Sequence, residues 1–305
     1  MPLMLAMLSW SVVPLRCACA TLLLAFVAAA GAQAPAPQVQ ALFDAAAPYA
    51  PTTAAGLQAR IGVIGAALLG RDYLRDPLGE GASAIIDPDP LFRLDAFDCV
   101  TWVETVLALA RARSADEVMP QMLALRYTGT QVSYAARNHL PTFDWLPNAV
   151  SRGIVQDITA EVFAPQLLAQ LPLEIDRAAV LSKLAAGRLS GGSAADPRRT
   201  TLRYAPLPVL LAAADAGELE ARIADGTVLL VVGPQAPGLL RAGIGEAIYH
   251  YGIAAHDVAG LQVFRSATPA GTHTVRDVPL AAYLRHGARE GVMLGLVLLR
   301  PLPVR

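Results

Sequence analysis

The sequence predicts an α+β fold in which helices come first and strands later. Apolar residues recur at helical spacing through the first half. A Gly/Ser cluster in "GRLSGGSAADP" then marks a change of pattern, and apolar β-rich runs follow Gly226. In chain order, "VQALFDAAA" and "AAGLQARIGVIGAALLG" read as helices, the second ending at Gly70 as C-cap. "DPLGEGASAIIDPDPLFRLDAFD" is an irregular approach rich in Gly, Pro and Asp. The next helix opens at Cys99 with Asp98 as N-cap, and Val100, Val103, Val106, Leu107 and Ala110 share one face. Ser114 and Glu117 stand at capping-box spacing before a further helix. "VSYAARNHLPTFDWLPNAVSRG" has no clear period and reads as a long functional loop. "GTVLLVVG", "AIYHYGIAAH", "GLQVFRSAT" and "GVMLGLVLLR" read as strands, with helical "VPLAAYLRHG" before the last.

The N-terminal segment carries an apolar run from Ala18 to Ala30 behind Arg16, followed by Ala30-Gly31-Ala32. This is the pattern of a secretory signal peptide over residues 1–32, with Met4 or Met7 as alternative starts and an uncleaved anchor as the alternative reading. Residues 33–50 are read as a linker and residues 51–305 as one domain. The chain has 305 residues, a formal net charge of -1 and 54% hydrophobic residues. That composition suits a globular core and gives no electrostatic footprint for nucleic acid or an anionic membrane surface. After cleavage no membrane span is expected.

Of three cysteines, Cys17 and Cys19 leave with the signal peptide, so Cys99 stands alone in the mature chain. A disulfide framework is excluded, and two readings of Cys99 stand: a buried small hydrophobe, or a nucleophile. A helix N-terminus favours thiolate through free N–H groups and the dipole. A nucleophile also needs a base, and five histidines are available: His139, His250, His256, His273 and His286. His250 lies on an apolar strand where an imidazole must find a partner, His139 lies in the long loop, and His256 and His286 sit at element ends and read as solvated. Glu104, five residues beyond Cys99, points away from the thiol and reads as a structural or solvent-facing carboxylate. No His-x-x-x-His or Cys-x-x-Cys spacing is present, so no metal site is expected.

Three separated motifs carry a family resemblance: "FDCVTWVET"; "RNHLPTFDWLPN" followed by "GIVQDIT"; and "YHYGIAAH" followed by "VFRSAT" and "VPLAAYL". In order and content they resemble the bacterial N-acetylmuramoyl-L-alanine amidase-like family of exported proteins, a branch of the papain-like, NlpC-type cell-wall hydrolases. The resemblance implies a papain-like fold with helices first, then an antiparallel sheet, and helical and loop insertions. It implies Cys99 as nucleophile and His250 as general base. Related enzymes often use a histidine on the next strand to orient the imidazole; here Ser266 occupies that place. A serine hydroxyl carries no charge to stabilise an imidazolium, so His273, Gln262, His256 or a backbone carbonyl are alternative orienters.

Asn138, His139, Asp144 and Trp145 match the family's loop signature and are expected at the substrate, although Asn138 and His139 could equally pin the loop. The implied substrate is peptidoglycan or a muropeptide, cleaved in the periplasm without metal or cofactor. The implied bond joins N-acetylmuramic acid to L-alanine; alternatives are stem-peptide cleavage and a muropeptide-binding module with weak or lost catalysis.

Overall fold

The structure, a computed structural model, describes residues 37–189, 194–234 and 245–304; the expected signal peptide and the first residues of the expected linker lie outside these. Helices α1 (Pro37–Ala46) and α2 (Ala54–Ala67) come first. The linker expected over 33–50 is thus corrected: from Pro37 it is helical, with Val39 and Ala46 buried. The buried Arg60 guanidinium fixes this segment. It donates to the carbonyls of Ala46 and Tyr49 and also to those of Leu109, Ala110 and Ala112. One cation thereby ties α1 to the carbonyl end of a later helix, where positive charge is favoured.

Strand β1 (Asp72–Tyr73) pairs in parallel with β2 (Ala96–Phe97), bracketing the irregular stretch. Arg137 holds that stretch through Glu80, Asp76 and Asp87. Helix α3 (Cys99–Arg111) and α4 (Val118–Arg126) follow. The capping box expected at Ser114 does not form, because the Glu117 carboxylate accepts the Arg113 N–H at 2.9 Å and pairs with its guanidinium. The long loop contains one wide helical turn, Pro141–Trp145, and leads into α5 (Leu146–Ser151), β3 (Val155–Asp157) and α6 (Thr159–Val162). After these come β4 (Ala169–Asp176), α7 (Arg177–Leu184), β5 (Pro197–Pro206), α8 (Leu207–Asp215) and α9 (Leu219–Arg222). Strands β6 (Val228–Val232), β7 (Ile248–His256), β8 (Gln262–Ala267) and β9 (Val275–Pro279), helix α10 (Leu280–Glu290) and strand β10 (Gly295–Pro301) complete the chain.

The sheet runs β4-β5-β10-β6-β7-β8-β9 with β3 also on β10, and every pairing in it is antiparallel. Alternation along β6 separates its two faces. Val228, Leu230 and Val232 join the core under α2, α3 and α4, whereas Leu229 and Val231 pack with α8 and α10. Helix α3 therefore has protein on all sides, and Thr101 through Arg111 are buried. A single apolar stripe is not enough for such a helix, so its polar residues need partners inside.

Glu104 is the test of this. It is 2% exposed, bonds Arg126 at 2.9 Å and accepts the Trp145 Nε1–H at 3.0 Å. Burial pushes its carboxyl up, and Arg126 pulls it down. Removing one partner of a buried pair strands the other, so Glu104→Ala is expected to cost about 3–5 kcal/mol. The drop in the urea midpoint of unfolding measures it.

Candidate active site

Helix α3 starts on a reciprocal cap. Asp98 Oδ1 accepts the Thr101 N–H at 2.8 Å, and Thr101 Oγ1 accepts the Asp98 N–H at 3.0 Å. The cap fixes the first turn and leaves the early amides free. Strand β7 packs against α3, and the backbone amides of Tyr251, Val100 and Cys99 itself favour charge on the thiol.

The dipole at this position leads one to expect a favoured thiolate; the structure favours the thiol. Burial and then the Asp98 carboxylate push Cys99 up to about 12, against the pull of the three amides. The residue that caps the helix also sets a negative charge beside the sulfur. At neutral pH Cys99 is therefore a thiol.

His250 lies beside a bulge in β7. It faces Val231 while Ile248 faces Val232, so Tyr249 is the extra residue. The imidazole Nε2 lies 3.2 Å from Ser266 Oγ. Burial lowers the ring to about 4, so it too is neutral. With Nε2–H donated to the hydroxyl, Nδ1 is left with no hydrogen-bond partner among the described residues and can act as a base. Gly252 makes this packing possible, because a Cβ there would stand 2.4 Å from the Phe264 ring, and Phe264 flanks His250 at 5.6 Å between centroids.

Of the orienters considered, Ser266 is the one bonded to the ring. Gln262 Nε2 donates to the Ile223 carbonyl, His256 is held between Asp225 and Glu220, and His273 is exposed with a φ of 56°. His256 is thus ion-paired at the surface instead of merely solvated. Beside the imidazole stands Tyr283 of α10, its ring centroid 6.5 Å from that of His250; burial first, then charge on Tyr249 and on Cys99, pushes its phenol well above the usual value. Tyr73 of β1 also feels Cys99, although burial is the larger cause of its upward shift. Sequence reasoning missed both tyrosines as site residues. "VPLAAYL" contains Tyr283, but only folding brings α10 to His250.

The loop residues expected at the substrate have their polar atoms committed to protein partners. Asn138 Nδ2 donates to Leu125 O at 2.8 Å and its Oδ1 accepts from Thr128 Oγ1 at 2.9 Å. Asp144 pairs with Arg177 at 2.7 Å, and Trp145 is fully buried on Glu104, with its ring edge-on to Tyr251. His139 Nε2 sits 2.7 Å from Tyr134 O, with the rings 4.2 Å apart; burial first, then Arg137, lowers its imidazole to about 3. These side chains brace the walls of the site from behind. Among the described residues no group of three His, Cys, Asp or Glu side chains is placed to hold a metal ion, and no helix is long and apolar enough to cross a membrane.

Residues 63–292 match the N-acetylmuramoyl-L-alanine amidase-like family. The chain belongs to that family. Among solved structures, this amidase-like protein resembles a Legionella pneumophila protein of domain-of-unknown-function family 1460 at 25% identity and a TM-score of 0.76, covering 87% of this chain and 94% of that one. It also resembles an N-acetylmuramoyl-L-alanine amidase from Bacteroides uniformis at 21% identity and a TM-score of 0.59, over 81% of this chain and 99% of the other; at that identity the likeness shows the fold. No curated protein matches the chain.

Both shifts in the site favour neutral groups, and each stabilises the fold in its own window. The contribution of His250 is full above its unfolded value of ~6.5 and is lost as pH falls through about 4. That of Cys99 is full below its unfolded value of ~8.5 and is lost as pH rises through about 12. Free Cys99 is accordingly expected to alkylate with iodoacetamide more slowly at pH 7 than glutathione does, and to accelerate with pH throughout the alkaline range. A fast rate that is flat from pH 6 upward would show a preformed thiolate instead.

Proposed function

We propose that this protein is an exported cysteine amidase of papain-like, NlpC-type architecture that cleaves peptidoglycan or muropeptides at the N-acetylmuramoyl-L-alanine bond. One observation carries the chemistry: a thiol leads a buried helix, packed on the antiparallel strand that bears an imidazole whose Nε2 is taken by Ser266. Membership of the amidase-like family supports the hydrolytic class and the cell-wall substrate. The signal-peptide pattern over residues 1–32 supports action in the periplasm.

The resting pair is thiol and neutral imidazole, so proton transfer accompanies attack. Cys99 gives its proton to His250 Nδ1 as the sulfur adds to the substrate carbonyl, and helix N-terminal amides hold the oxygen as it becomes negative. Imidazolium then protonates the leaving amine, and as neutral base it activates water to release the acyl group. Ser266 fixes the ring by accepting from Nε2–H. It lends no charge to the imidazolium, so it holds direction without the electrostatic support a carboxylate supplies.

The test incubates the mature chain with purified muropeptides beside a Cys99→Ala control, with products identified by mass spectrometry. The expected product is free stem peptide with an L-alanine amino terminus, absent from the control. Cleavage within the stem would assign an endopeptidase. Intact muropeptides that bind the protein would assign a module without catalysis.

A further inference from the structure

A cleft of about 350 Å³ opens between helices α2 and α3 and strands β7 and β8, and none of Cys99, His250 and Ser266 lines it. Its walls are small or apolar: Ala59, Gly62 and Ala66 of α2, Trp102 of α3 and Ile253 of β7. Its polar groups stand at the two ends. Gln58, Asp225 and His256 gather near the start of α2, where a Cβ on Gly226 would stand 3.4 Å from Gln58 Cγ. Arg265 lies at the other end, beside Gly65, seven positions beyond Gln58 along the helix. At 1.5 Å per residue the ends are about 10 Å apart.

Arg265 is 4% exposed, and only one edge of its guanidinium is used by the protein. Nε and Nη2 donate to the two oxygens of Asp277 at 2.7 and 2.8 Å, whereas Nη1 has no hydrogen-bond partner among the described residues. A Cβ on Gly65 would stand 3.7 Å from Nη1 and 3.6 Å from Trp102 Cζ2, so the lack of a side chain at Gly65 leaves this edge uncovered. Trp102 Nε1, on the same edge of its ring as Cζ2, is buried and likewise has no acceptor among the described residues. Two buried donors thus flank one gap, and such donors are costly unless an acceptor meets them. The opposite end offers the complementary charge. Asp225 Oδ1 lies 2.8 Å from His256 Nδ1, and Oδ2 has no hydrogen-bond partner among the described residues. The Gln58 side chain between them can both donate to and accept from a peptide group.

We propose that this cleft is a binding site for a short peptide with both ends free, its carboxylate accepting from Arg265 Nη1 and its ammonium donating to Asp225. A guanidinium holds a second carboxylate on its free edge as readily as the first, and the buried position of Arg265 strengthens that bond. An extended dipeptide spans about 7 Å, which leaves hydrogen-bond distance at its ends. Small side chains suit the alanine and glycine wall of α2. The site is independent of the amidase reading, since it uses neither the thiol nor the imidazole.

The test titrates the mature chain with L-alanyl-L-alanine and follows the indole N–H signals by proton–nitrogen NMR. Trp102 and Trp145 are the two tryptophans after residue 32, and Trp145, bonded to Glu104, serves as internal reference. A saturable shift of the Trp102 signal is expected. N-acetyl-alanyl-alanine and alanyl-alaninamide, each lacking one charged end, are expected to bind at least about tenfold more weakly. In Gly65→Ala the added methyl meets Arg265 and Trp102 at ordinary contact distance and covers Nη1, while alanine is the better helix former. That variant is expected to keep or exceed the parent's thermal unfolding midpoint and to bind L-alanyl-L-alanine at least about tenfold more weakly. A Trp102 signal unmoved by the dipeptide up to ~10 mM overturns the proposal. Binding that survives unchanged in Gly65→Ala, or after loss of either charged end, overturns it as well.

Discussion

Desolvation of the Cys99 sulfur between helix α3 and strand β7 is the constraint around which the rest of the site is arranged. It takes a residue at a helix N-terminus, where a free amide end should favour thiolate, and holds it as thiol near 12. The same burial holds His250 near 4. Two groups that would form an ion pair in a more open site thus rest uncharged, which spares the fold a buried charge and defers charge separation to the moment of attack. Backbone amides of Tyr251, Val100 and Cys99 favour the charge when it forms.

Such a site requires rigid walls, and the chain builds them from buried cations. Arg126 with Glu104 and Trp145 braces α3 from within; Arg60 closes its carbonyl end; Arg137 gathers Glu80, Asp76 and Asp87 to hold the approach to Cys99. Each guanidinium spreads several donors in a fixed plane, which suits it to join segments distant in sequence. The wide turn at Pro141–Trp145 aims Trp145 inward, so a loop rich in aromatic and amide groups serves the site mainly as its scaffold.

Much of this was legible in the sequence where local pattern decides structure. The mixed α+β class, the strands β6, β7, β8 and β10 after Gly226, Asp98 as cap, and His250 on an apolar strand are all set by periodicity or by short-range bonds, whereas β1 to β5 interleave with the helices before Gly226 and depart from the expected order of helices first and strands later. The pair β4 and β5 escaped because its residues alternate half-exposed at the edge of the sheet, with no apolar run to announce a strand. Pro and Ala at the start of residues 33–50 suggest a linker, whereas α1 is fixed by Arg60, a partner far enough along the chain to be invisible locally. Glu104 looked peripheral since its spacing from Cys99 says nothing of Arg126. For the same reason the state of the thiol was misjudged: a dipole is local, but the burial that outweighs it comes from β7, some 150 residues further along. Ser266 was placed by resemblance, and its bond to the ring emerges only from the register between β7 and β8.

The central claim, a neutral thiol together with a neutral imidazole whose Nε2 is taken by Ser266 and whose Nδ1 is left as base, is open to direct measurement. Nitrogen NMR of the 15N-labelled imidazoles, assigned with a His250→Gln variant, reports both protonation and tautomer. The account predicts that His250 carries its proton on Nε2, with Nδ1 bare, from neutral pH down to about 4. A doubly protonated His250 at pH 7, lost in Cys99→Ala, would show a preformed ion pair and contradict it.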